Sequence, residues 1–174
     1  MPLILRKIEK GRWRTGPDLE DLPWLPAGEV QAQALLDLVP KDNRLSVWQL
    51  TDDRSNLDRI LAALASARDG LFNVDFAILD QRVLSDLSLP IEQVPGDSAD
   101  EAANRTWHHD LVHLTVSRIA DLSHAILERS ERLRCQDKAV GRLVLNAIDA
   151  GWIDPTRLRE GLLSRLDRLR LPRS

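Results

Sequence analysis

The chain has 174 residues, 43% hydrophobic and 29% charged, with a formal net charge of −3. That is the mix of a folded globular protein, long enough to build a core without metal or disulfide staples. A single cysteine, Cys135, excludes an internal disulfide, and no apolar run nears the roughly 20 residues that cross a bilayer, so no membrane span is expected. The first residues meet charge at Arg6 and Lys7, too early for a signal peptide, and the expected compartment is the cytoplasm. Arginine outnumbers lysine 20 to 4, a usage that fits a GC-rich bacterial genome.

Residues 3–8 read as a first strand. The stretch from Gly11 to Pro26 is rich in turn residues but carries Trp13, Leu22, Trp24 and Leu25, which are too apolar to leave in water. Its Leu22–Pro26 piece is expected to be extended, because a residue before proline is pushed out of helical angles. Val30, Ala34 and Leu38 recur every four residues, a short amphipathic helix that Pro40 stops. Residues 45–50 follow as a strand with apolar groups on both faces. Asp52 and Asp53 offer caps for a helix striped by Leu57, Ile60, Leu61 and Leu64, with Gly70 at its end. Residues 74–79 are another buried strand and 81–87 a short helix. Residues 89–94 are an edge strand, since Pro90 has no N–H to give a ladder.

Pro95-Gly96-Asp97-Ser98 marks the clearest boundary. Ser98 and Glu101 have the spacing of a capping box for one helix of about 35 residues, reaching Arg134. A second helix runs from Asp137 to Ala150, closed by Gly151. Asp154-Pro155 opens a third, with Leu158, Leu162, Leu166 and Leu169 on one face. The predicted class is α+β. A small mixed β-sheet with covering helices occupies 1–97, and a C-terminal all-helical layer with one long helix occupies 98–174. The two halves are expected to form one cooperative unit.

All four histidines fall on the predicted long helix. His109 and His113, four apart, can face one ion there, half of a helical zinc site. His124 lies too far along the axis to join them, and Asp110-Leu111-Val112 lacks the glutamate of a metalloprotease helix. With two ligands where a catalytic site needs three, no metal or other cofactor is expected. His113, Ser117 and Asp121 are evenly spaced, but a serine in mid-helix has no oxyanion donors beside it. Gly11 and Gly16 are followed by Pro17-Asp18, so the lysine and metal ligand of a phosphate loop are missing. Cys135 has Arg134 beside it but no paired base.

Arg118 and His124 are separated by five residues. An Arg-x4-6-His motif within helices resembles that of the HEPN ribonucleases. The resemblance implies metal-independent RNA cleavage, with these two residues as the catalytic pair. It covers two residues, and Ile119 stands where that family usually has a polar one.

The remaining signals concern surfaces. Trp13 and Trp24 either cover the sheet edge or form a partner-binding face. Arg157, Arg165 and Arg168 flank the leucine stripe of the last helix, and residues 129–173 hold 11 basic against 6 acidic residues. Such a helix docks on the body, pairs with a copy of itself or binds nucleic acid; no aromatic residue is interleaved for base stacking. The expected function is binding to a protein partner, or to a second copy of the chain, without catalysis. Nucleic-acid binding through the arginine-rich helices is the alternative.

Overall fold

The computed structural model describes residues 2–14, 24–26 and 28–170. Part of the expected extended piece, including Leu22 and Pro23, lies outside the described residues, as do Gly16 and Pro17. The chain is α+β, and the described residues form six strands in one sheet. The strands are β1 (Leu3–Ile8), β2 (Leu45–Leu50), β3 (Val74–Asp80), β4 (Ile91–Gln93), β5 (His108–Leu111) and β6 (Glu131–Cys135). The helices are α1 (Leu57–Ser66), α2 (Gln81–Asp86), α3 (Glu101–Trp107), α4 (Val116–Arg129), α5 (Asp137–Asp149) and α6 (Glu160–Arg170). Short 3-10 segments cover Lys10–Trp13, Ala32–Leu38 and Pro155–Arg157.

The sheet order is β4-β5-β2-β1-β3-β6. β1 and β3 pair antiparallel, with Leu5 opposite Ile78 and Ile4 opposite Leu79. The three-residue β4 lies at one edge, next to Pro90, where a missing backbone donor costs nothing. β6 lies at the other edge and carries Glu131, Arg132 and Arg134, charges that discourage pairing with stray strands.

The second half is not all-helical. Two of the six strands, β5 and β6, lie beyond residue 97. The single long helix expected from 98 to 134 is two helices, separated by β5 and a turn, with β6 following the second. Trp107 to His113 is rich in aromatic, histidine and β-branched residues, all indifferent helix formers. His113 takes a left-handed φ of 55°, and Thr115 then caps α4 afresh by accepting from the Arg118 N–H. The capping box also differs. Asp100, not Ser98, caps α3 by accepting from the Ala103 N–H, while Ser98 turns inward to Asn104.

The chain divides into two compact units, each assembled from three segments. The strand-rich and helical parts therefore alternate along the sequence instead of meeting at residue 97. Unit 1 comprises 1–49, 75–92 and 109–133. It holds most of the sheet, and its core gathers Ile4, Val47, Leu79, Leu84, Leu122 and Ile126 between the strands and helices α2 and α4. Each such side chain contributes about 1.5–3 kcal/mol by leaving water. Unit 2 comprises 50–74, 93–108 and 134–174. In it α1 packs on α5 and α3, and α5 on α6. Alanines 62, 63 and 65 of α1 are buried, and such short side chains let helices approach closely. Gly151, at φ 71°, ends α5 as the expected left-handed C-cap.

Candidate functional site

The histidines do not share a rod. His108 begins β5, buried, with Nδ1 2.7 Å from the Val94 carbonyl. His109 follows it within the strand, so His109 and His113 are no longer one helical turn apart and the premise of a shared ion is lost. His113 sits in the turn before α4, and its carbonyl accepts from Arg118 Nη1 at 2.7 Å. His124 is exposed on α4. Among the described residues no three His, Cys, Asp or Glu side chains gather closely enough to hold a metal ion. Arg118 and His124 do lie on one helix, but six residues place them about 120° apart around it and about 9 Å along it. They do not converge on a reacting atom within this chain.

Trp13 corrects the surface expectation. It is only 2% exposed. Its indole Nε1–H donates to Asp37 Oδ2 at 2.8 Å, and the same carboxylate accepts from Arg12 Nη1 at 2.9 Å and from the Glu9 N–H at 2.8 Å. The Asp37 carbonyl in turn accepts from Arg6 Nε and Nη2, while Arg6 Nη1 donates to the Ser46 carbonyl at 2.6 Å. Burial pulls the Arg6 guanidinium down to about 10, against the opposing pull of Asp37 and Asp110, so it stays charged at neutral pH. Trp13 is thus one spoke of a hub that fastens both 3-10 segments to β1.

That hub orients the segment Ala32–Leu38. A 3-10 helix advances about 120° per residue, so side chains three apart eclipse. Ala34 and Asp37 share the inward face. Gln33 and Leu36 share the outward one; Leu36 is 60% exposed, and Val39, which leaves the segment in extended backbone, is 61% exposed. Trp24, in the same unit, is 67% exposed. Trp24 was a sequence candidate; Leu36 and Val39 were not. Their signal was present: both fall off the stripe of Ala34 and Leu38, as apolar residues on what should be the wet side.

The terminal arginines lie in unit 2. Leu158, Leu162 and Leu166 are buried as the stripe predicts, while Leu169 at its end is 38% exposed. Arg157 Nη1 is 2.6 Å from Glu101 Oε1. Arg165 and Arg168 are exposed, three apart on α6, and have no ion-pair partner among the described residues. A second basic feature escaped the sequence reading. Arg59 of α1 lies between the rings of Trp107 and Trp152, 5.3 and 4.6 Å from their centroids. Its Nε and Nη2 reach the two oxygens of Asp100 at 2.6 and 2.9 Å. The guanidinium is therefore stacked on two rings and paired with a buried carboxylate at once.

Cys135 ends β6 half-buried, and burial, then Asp58, pushes its thiol up, away from reactivity. No helix among the described residues is long and apolar enough to cross a membrane. No protein-family model, no curated protein and no solved structure matches this chain.

Proposed function

We propose that the chain works by binding a protein partner through the outward face of the 3-10 segment in unit 1, without chemistry of its own. The observation that carries this is the pair Leu36, on the outward side of the segment, and Val39, just past its end, both about three-fifths exposed. A segment bolted down on its inner side by Asp37 and left apolar on its outer side is a rigid platform. Binding to it loses little conformational entropy. Trp24 adds a residue type favoured at the energetic centre of interfaces.

A photo-crosslinking amino acid placed at position 36 tests this in cells, against the same group at Glu128 on the exposed side of α4. The expected result is a discrete adduct from position 36 that is absent from 128 and lost when Val39→Asp is added. Indistinguishable labelling at both positions would sink the proposal. An adduct at twice the chain mass identifies the partner as a second copy.

A second reading rests on Arg165 and Arg168, two exposed cations on one side of α6 with no ion-pair partner among the described residues. They support binding to a nucleic-acid backbone. In that case affinity falls steeply with salt, and replacing both by alanine lowers the slope of log K against log salt by about 2. A slope unchanged by the double substitution removes this reading.

A further inference from the structure

A polar cavity of about 140 Å³ opens in unit 2, with Ser66, Asp97, Ser98, Ala99, Arg157 and Arg159 in its wall. That is roughly ten times the room a single water needs. Its floor is fixed. Ser66 Oγ donates to the Ala63 carbonyl at 2.7 Å and accepts from the Ala99 N–H at 3.0 Å. Ser98 Oγ donates to Asn104 Oδ1 at 2.6 Å, and the Ser98 carbonyl accepts from Asn104 Nδ2 at 2.8 Å. The loop 97–100 is therefore held from α1 on one side and from α3 on the other.

The charges in the wall are not equivalent. Arg157 is committed to Glu101. Asp97 and Arg159 are both exposed, and neither side chain has a hydrogen-bond or ion-pair partner among the described residues. The cavity thus presents one uncommitted guanidinium and one uncommitted carboxylate that do not neutralise each other. A simple anion would gain from Arg159 and be repelled by Asp97; a simple cation would meet the reverse. Only a ligand carrying both signs gains at both ends.

We infer that this cavity binds a small zwitterion of the amino-acid class, its carboxylate on Arg159 and its ammonium on Asp97. The planar guanidinium fork matches a carboxylate, and a carboxylate accepts from an ammonium through two oxygens. Both wall charges face water, which screens them, so binding is weak, with a dissociation constant on the order of 10 mM or above.

The test is a nitrogen-15 amide titration of the full chain with glycine, β-alanine and γ-aminobutyrate, a ladder of increasing charge separation. Acetate and methylammonium serve as single-charge controls. At least one zwitterion shifts the Ser98 and Ala99 amides saturably, the controls do not, and Arg159→Gln and Asp97→Asn each weaken binding about threefold to fivefold. The inference is overturned if none of the three saturates at concentrations tens of times the expected constant. It is equally overturned if acetate binds as well as the best zwitterion and Asp97→Asn strengthens it, the signature of a plain anion site.

Discussion

Asp100 concentrates two stabilising roles in one side chain that is 0% exposed. It caps α3 by accepting from the Ala103 N–H at 2.9 Å, and it receives both ends of the Arg59 fork. Asp100→Ala removes both. The lost cap costs about 1 kcal/mol. Stranding a fully buried partner costs about 3–5 kcal/mol, but the Arg59 side chain keeps 20% exposure and its two indoles, so about 2–3 kcal/mol applies here. The sum is about 3–4 kcal/mol, a fall in Tm of about 10 °C for a chain of this length. Asp100→Asn keeps an oxygen for the cap and loses the charge, so it should cost about 2–3 kcal/mol. Urea unfolding followed by tryptophan fluorescence measures all three proteins, with Trp107 and Trp152 as local reporters. Adding Arg59→Ala to Asp100→Ala should cost less than the two single losses combined, because the stranded cation is then gone. A loss below about 0.5 kcal/mol for Asp100→Ala, the range of an ordinary surface change, would refute the reasoning.

Other expectations follow from equally local features. Gly161 lies in the first turn of α6, where a Cβ would run into the Asp69 carbonyl. Gly161→Ala should therefore destabilise by about 1–3 kcal/mol, although helix propensity alone predicts a gain; a higher Tm would contradict the packing. The Asp80 carboxyl is held down to about 2 by the Arg82 side chain and then by the Arg82 N–H. A carboxyl depressed below its unfolded 3.8 adds stability that is present above that value and lost as pH falls through 2. Asp80→Ala should flatten the acid limb of stability between about pH 4 and 2, and an unaltered limb would count against the Arg82 bond. Because burial raises the Cys135 thiol, it should react with a disulfide reagent more slowly than glutathione at about pH 8, the gap closing as pH rises. Faster modification than glutathione would mean the side chain is open and activated.

Much of the fold was legible in the residues. β1, β2 and β3 stand where alternating or continuous apolar runs put them, because β-branched and aromatic residues in a buried sheet carry a strong local signal. The edge position of β4 followed from Pro90 alone. Residues 98–134 were misread because Ala-, Leu- and Arg-rich stretches on either side of Trp107–Val112 have helical period, and four strand residues are too few to disturb it. β5 exists because it completes a ladder with strands distant in sequence, a tertiary reward that no local window contains. β6, with Glu131, Arg132 and Arg134, looks like a wet helix face and is a strand by position at an edge. At the level of sites, the exposure of Trp24 could be guessed from its loop, whereas the burial of Trp13 depends on Asp37, 24 positions away. Asp97 and Arg159 belong to separate segments, and only the folded unit places them in one cavity.

The threefold segmentation of each unit has a consequence for synthesis. A ribosome delivers the chain from its N-terminus, yet unit 1 cannot be finished before residue 133 has emerged, nor unit 2 before its last segment. Until then β3, with its buried apolar side chains, waits without the neighbour that will occupy its outer side. The nascent protein therefore carries an open hydrophobic ribbon from the completion of β3 at Asp80 until β6 is made at Glu131–Cys135, the period in which holding chaperones matter most. No cut at a single point in the chain liberates either unit whole.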